Sequence, residues 1–248
     1  MKSLTLKFAG FLLTCSALLL LTSTAFAAEG GKVRLFILSG QSNMAGLNPA
    51  VSFTPALKKA FASDEVIVVK DAAGGQPIRK WYKQWKPAGA AKPAKEPNGK
   101  AAKRGKPSAH GALYDRLMKK VRAAIEGKKI DSMSFVWMQG ERDAKEHHSK
   151  VYAESLRGVI EQLRTDLARP DMTVVIGRLS DHLKKHDDWE GVRAAQVLVA
   201  ESDKLADWVD TDDLNGPKDG LHYNQAGYAT MGERFAEKTI ALLQKDGK

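Results

Sequence analysis

The feature that most constrains this chain is a regular alternation of short apolar runs with longer stretches of helical period. Residues 33–38, 66–69, 133–138 and 173–176, and more weakly 206–209, are rich in Val, Ile, Leu, Met, Phe and Trp. Each is too short for an ordinary helix, and each reads as a strand buried on both faces. Between and after them, residues 110–126, 149–168, 189–205 and 224–244 carry apolar side chains at three- and four-residue spacing. The last of these has Asn224 as its N-cap. Strands alternating with helices of this length imply βαβ units and a five-stranded parallel sheet with helices on both faces. In such sheets, ligands bind at the carboxyl ends of the strands.

The segment before the first strand has a different character. Lys2 and Lys7 make a basic start, residues 8–21 are an apolar run, and Ala25-Phe26-Ala27 is a small-x-small cleavage site. Residues 1–27 therefore read as a secretory signal peptide, with the run shorter than the ~20 residues of a bilayer span. The expected product is residues 28–248, secreted or periplasmic, with no stable membrane span after cleavage. Its size suits one α/β domain. The only cysteine, Cys15, leaves with the signal, so neither a disulfide framework nor thiol chemistry is expected.

The formal charge of +10 falls to +8 without Lys2 and Lys7. Residues 79–106 hold ten Lys or Arg and one acid, Glu96, so the remainder is close to neutral. A near-neutral domain with one basic segment is a poor match to a nucleic-acid-binding fold. Residues 87–107, rich in Ala, Lys, Pro and Gly, read as a low-complexity surface insertion.

Three polar clusters follow predicted strands. Gly40-Gln41-Ser42-Asn43-Met44 follows the first, where a serine on the turn is exposed at the sheet's carboxyl edge. Alone it could equally be a helix cap in a glycine turn. Trp137-Met138-Gln139-Gly140-Glu141-Arg142-Asp143 follows the third strand, and its Gln139 amide can either donate to a tetrahedral oxyanion or order a loop. Asp219-Gly220-Leu221-His222 precedes the last helix. Serine is a poor nucleophile without a base, and the base works best when a carboxylate fixes its tautomer. Gly74-Gly75, after the second strand, can offer a backbone N–H or simply make a tight turn.

Taken together and in order, these blocks resemble those of the SGNH hydrolases. More narrowly they are similar to the branch of sialate O-acetylesterase-like enzymes and acetylxylan esterases of carbohydrate esterase family six. Ile78 and Trp81 beside Gly74-Gly75, and Val192-Arg193-Ala194-Ala195-Gln196, extend the resemblance. It implies a flavodoxin-like three-layer α/β/α fold and removal of O-acetyl groups from carbohydrate. By position it makes Ser42 the nucleophile, His222 the base and Asp219 its orienter. The oxyanion hole would comprise the N–H groups of Ser42 and of Gly75 or its neighbour, with the Gln139 amide. Glu141 and Asp143 would brace the loop.

This chemistry needs no metal or other cofactor. His182 and His186 have a helical metal spacing but no evident third ligand, and they read, like Glu146-His147-His148, as a solvated face. Trp81, Tyr82 and Trp85 could form a sugar platform or belong to the core. The basic insertion could attract acidic polysaccharide. The rival reading is a non-catalytic exported protein that binds polysaccharide or an envelope surface, and a binding module needs no Ser, His and Asp together. A lipase or thioesterase would need an acyl-chain groove.

Overall fold

The computed structural model describes residues 31–89 and 110–245. The predicted signal peptide and nearly all of the basic insertion lie outside the described residues. All five predicted strands form, as β1 (Val33–Gly40), β2 (Glu65–Ala72), β3 (Ser132–Met138), β4 (Thr173–Gly177) and β5 (Ala206–Val209). They make one parallel sheet in the order β2-β1-β3-β4-β5. Burial follows position. Every residue of β3 and β4 is buried, whereas β2 and β5, at the edges, keep several partly exposed residues. A parallel strand covered on both faces must be apolar throughout, hence the unbroken runs in the sequence.

Among the described residues, seven α-helices connect and cover the strands: α1 (Ser42–Gly46), α2 (Phe53–Ala60), α3 (Ala112–Ala124), α4 (Glu141–Lys145), α5 (Ser149–Asp166), α6 (Asp187–Glu201) and α7 (Gln225–Lys245). One group is α2 with α7, and the other is α3, α5 and α6. Helix α7 buries Met231, Phe235, Thr239 and Leu242 along one stripe, the expected pattern for a helix lying on a sheet. Asn224 accepts from the Gly227 N–H at 2.8 Å, the capping bond anticipated for it. A Cβ on Gly232 would lie 2.2 Å from Ser52 Oγ, so a glycine lets α7 approach the start of α2 closely.

The aromatic cluster after the glycine block belongs to the core. Trp81 is fully buried, stacks edge-on against Trp137 at 5.2 Å and donates its indole N–H to Ser39. Trp85 is also buried, between His110 and His148. The sugar-platform alternative therefore gives way to the core alternative for both tryptophans.

Candidate active site

Strand β1 ends in a forced turn. Gly40 has φ +147°, and a Cβ there would meet the Met138 carbonyl oxygen at 1.9 Å, so only glycine lets β1 leave the sheet against β3. The chain then enters α1, whose first residue is Ser42. Asn43 and Met44 are buried beneath it, while Ser42 stays partly exposed at the sheet's carboxyl edge. Lys70, on the neighbouring β2, donates to the carbonyls of Met44, Ala45 and Leu47. A cation there satisfies orphan carbonyls and opposes the negative end of the helix dipole.

The second half of the site comes from the far end of the chain. Asp219 accepts the backbone N–H groups of Leu221 and His222 on Oδ1, while its Oδ2 lies 2.7 Å from His222 Nδ1. Those three bonds, the imidazole first, hold its carboxyl well below the usual carboxylate range. The other ring nitrogen, Nε2, lies 3.1 Å from Ser42 Oγ. Ser42, His222 and Asp219 thus form one hydrogen-bonded chain, open to solvent at its His and Asp end.

The loop carrying this pair is anchored to β4 and α6. Arg193 and Arg178 pair with Asp212, Thr211 donates to the Arg178 carbonyl, and Asn215 donates to Asp181 at 2.7 Å. Nearer the serine, Asn43 Nδ2 donates both to Glu141 Oε1, at 3.1 Å, and to the Leu221 carbonyl, at 3.2 Å. Asn43 therefore ties the Ser42 turn to the loop after β3 and to the residue before His222. Nothing in the local sequence signals this role for Asn43, because its partners lie 98 and 178 residues away.

The third block folds inward. Gln139 is fully buried, and its amide nitrogen lies 2.6 Å from Asp143 Oδ2, 3.1 Å from the Gln76 carbonyl and 3.2 Å from Gln41 Oε1. Tyr152 and Gln196 hold its carbonyl oxygens and backbone from behind. Gly74 faces the serine, a Cβ there lying 3.7 Å from Ser42 Cβ, and Gly75 follows in a left-handed conformation with φ +66°. Of the expected donors' neighbourhood, the Gly74 position lies beside Ser42, while the Gln139 amide is engaged in its own network.

Glu141 and Asp143 are braces, as expected, and burial alters their chemistry. Asp143 accepts the Ile78 N–H at 2.7 Å as well as the Gln139 amide. Burial pushes Asp143 up to about 6 and Glu141 up to about 7, opposed in part by those hydrogen bonds. Glu146-His147-His148 departs from the solvated face expected of it. Only His147 is well exposed, whereas Glu146 and His148 are largely covered and Glu146 pairs with Arg79 and Arg142. His182 lies in a short turn after β4 and His186 precedes α6, so the helical spacing read for them does not arise. Among the described residues, no three His, Cys, Asp or Glu side chains converge on a point that could hold a metal ion.

A parallel five-stranded sheet with a serine at the end of its first strand and an Asp–His pair before the last helix is the SGNH-hydrolase arrangement. The chain belongs to the carbohydrate esterase, sialic acid-specific acetylesterase family, whose profile matches residues 45–241. A probable carbohydrate esterase of Arabidopsis thaliana is 24% identical over 203 residues, which is 79% of this chain and 64% of that relative. The chain thus spans under two thirds of the relative's length. A crystal structure of an Arabidopsis thaliana protein superposes with a TM-score of 0.64 at 20% identity, covering 84% of this chain and 98% of that one. A carbohydrate acetylesterase from Xanthomonas citri gives a TM-score of 0.58 at 16% identity, covering 86% and 56%. Both likenesses show the fold. No helix among the described residues is long and apolar enough to cross a membrane.

Proposed function

We propose that the protein is an exported serine esterase that removes O-acetyl groups from carbohydrate through Ser42, His222 and Asp219. The observation that carries this reading is the continuous contact from Ser42 Oγ to His222 Nε2 at 3.1 Å, and from His222 Nδ1 to Asp219 at 2.7 Å. Export rests on the N-terminal sequence, and acetylated carbohydrate on family membership.

In this mechanism Ser42 attacks the acetyl carbonyl while its proton passes to His222 Nε2. Asp219, ionised well into acid, keeps the imidazole in the tautomer that accepts at Nε2 and stabilises the imidazolium that forms. The oxyanion is met by the N–H groups of Ser42 and Gly75, with Gln139 as third donor. Gln139 has two amide hydrogens shared among three acceptors, so it exchanges the Gln76 carbonyl or Gln41 for the oxyanion as substrate enters. His222 returns the proton to the departing sugar oxygen, leaving acetyl-Ser42. Water then attacks by the same relay and releases acetate. The basic segment 87–107 is proposed to draw acidic polysaccharide toward the enzyme by charge.

Ser42→Ala should lower turnover of 4-nitrophenyl acetate by at least ~10³-fold while leaving the melting temperature close to that of the wild type. A serine-reactive phosphonate should label Ser42 and block the wild type. Label on another residue, or a mutant retaining most activity, would overturn the assignment.

A further inference from the structure

Next to the Asp219–His222 turn is an open cleft of about 380 Å³, walled by His147, His182, Leu183, His186, Trp189 and Leu221. It rises from the carboxyl ends of β3 and β4, the same edge of the sheet that carries Ser42. It also adjoins the turn directly. Leu221 lines it, and His182 packs against Gly220, where a Cβ would come 3.0 Å from its Nδ1. Glu141, the partner of Asn43, closes its inner side, and the buried Oε2 of that carboxyl has no hydrogen-bond partner among the described residues.

The walls have a mixed chemistry. The His147 and His186 rings stack at 6.1 Å and 26°, and His182 meets Trp189 edge-on at 5.7 Å. Leu183, 44% exposed, is one of few large apolar side chains left facing solvent. His147 is held in a left-handed backbone conformation, φ +59°, with Nδ1 bonded to Asp188, which leaves its second ring nitrogen for a ligand. Flat faces interleaved with donors and acceptors suit a pyranose, which presents C–H faces and a hydroxyl rim. They suit an alkyl chain less well, because it would desolvate the free imidazole nitrogens and the Lys145 ammonium without offering them a partner.

The reaction itself fixes which part of a substrate lies here. The base that deprotonates Ser42 must later protonate the leaving oxygen, so the departing alcohol lies on the His222 side of the nucleophile. We propose that this cleft is the subsite for the sugar ring of the leaving alcohol, with His182 and Leu183 as its stacking wall and His147 and His186 as hydroxyl partners. The proposal rests on the serine-esterase reading and adds the location and chemistry of substrate recognition.

Two esters with the same acyl group but different alcohols separate the two ideas. In ethyl acetate the leaving alcohol is too small to fill the cleft, whereas in peracetylated xylopyranose it is a sugar ring. His182→Ala and Leu183→Ala should leave kcat/KM on ethyl acetate within about twofold of the wild type. On the sugar ester each should raise KM by about fivefold or more with kcat little changed, the size expected for loss of one stacking wall. Unchanged KM on the sugar ester in both variants would overturn the subsite. So would an equal fall on both esters, which would show His182 acting only through the catalytic turn. Leu183→Ala guards against that case, because an alkyl side chain has no group to hydrogen-bond to the turn. Ser42→Ala, run alongside, reports on the esterase reading alone, since it should abolish both activities wherever the sugar binds.

Discussion

Glu141 shows how one residue can serve order and carry a cost. Its carboxyl accepts from Asn43 and so helps align the Ser42 turn with the residue before His222. Burial also raises its pKa from 4.5 to about 7. A raised acid holds its proton more tightly folded than unfolded. The native state therefore binds more protons between those two values, and stability falls as pH rises through that window. Below pH 4.5 both states are protonated and nothing is lost; above about 7 the loss is complete, on the order of 3 kcal/mol for a shift of this size. Glu141→Gln keeps the oxygen that Asn43 needs and removes the titration. Its melting temperature should therefore gain on the wild type as pH rises from 4.5 to 7. Asp143 shifts in the same direction, so the difference between the two curves is what counts. Parallel curves for wild type and mutant would refute the assignment.

Among the elements, α1 is the one least able to stand alone. Five residues make barely one turn, far below the length at which a helix is stable by itself. Lys70 is what its end leans on, with the carbonyls of Met44 and Ala45, and of Leu47 just beyond it, meeting one ammonium. Lys70→Met should cost about 1.5–3 kcal/mol of stability, as expected for hydrogen bonds to a charged group, and should lower kcat more than it raises KM. Thermal melts and steady-state kinetics would check both, and unchanged kcat would show that α1 is held by packing instead. Such dependence explains what was legible in the sequence. The five strands and the four long helices were readable because burial imposes an unbroken apolar run on one and a three-to-four spacing on the other. Helix α2 was not, since its eight residues give barely two turns and Pro55 interrupts the first. Helices α1 and α4 read only as turns for the same reason. Ser42, Asp219, His222, Gln139 and Gly75 stood out as candidates because each follows a strand or precedes a helix. Asn43 and Lys70 were not, because their partners are set by the packing of separate segments. Trp81 was ambiguous because an aromatic next to a glycine turn fits a core and a platform equally well.

For the molecule as a whole, charge is concentrated where the sequence is simplest. Ten cations between residues 79 and 106 stand against a nearly neutral remainder. If that segment steers acidic polymers, replacing residues 88–106 with a Gly-Ser linker should leave hydrolysis of a small neutral ester unchanged. On an acetylated acidic polysaccharide it should raise KM at low salt, and the wild-type advantage should shrink as salt rises, because the Debye length falls to about 8 Å at physiological ionic strength. Equal KM values on the polymer at low salt would remove the steering role. The separation of Ser42 from His222 has another outcome. They sit 180 residues apart along the chain and 3.1 Å apart in space. If the two act as the proposed nucleophile and base, a nascent polypeptide has the first without the second and is chemically silent until the last loop docks. The proposed hydrolysis would then double as a signal of completed folding: activity should disappear on mild denaturation as soon as that loop detaches, ahead of any loss of the sheet.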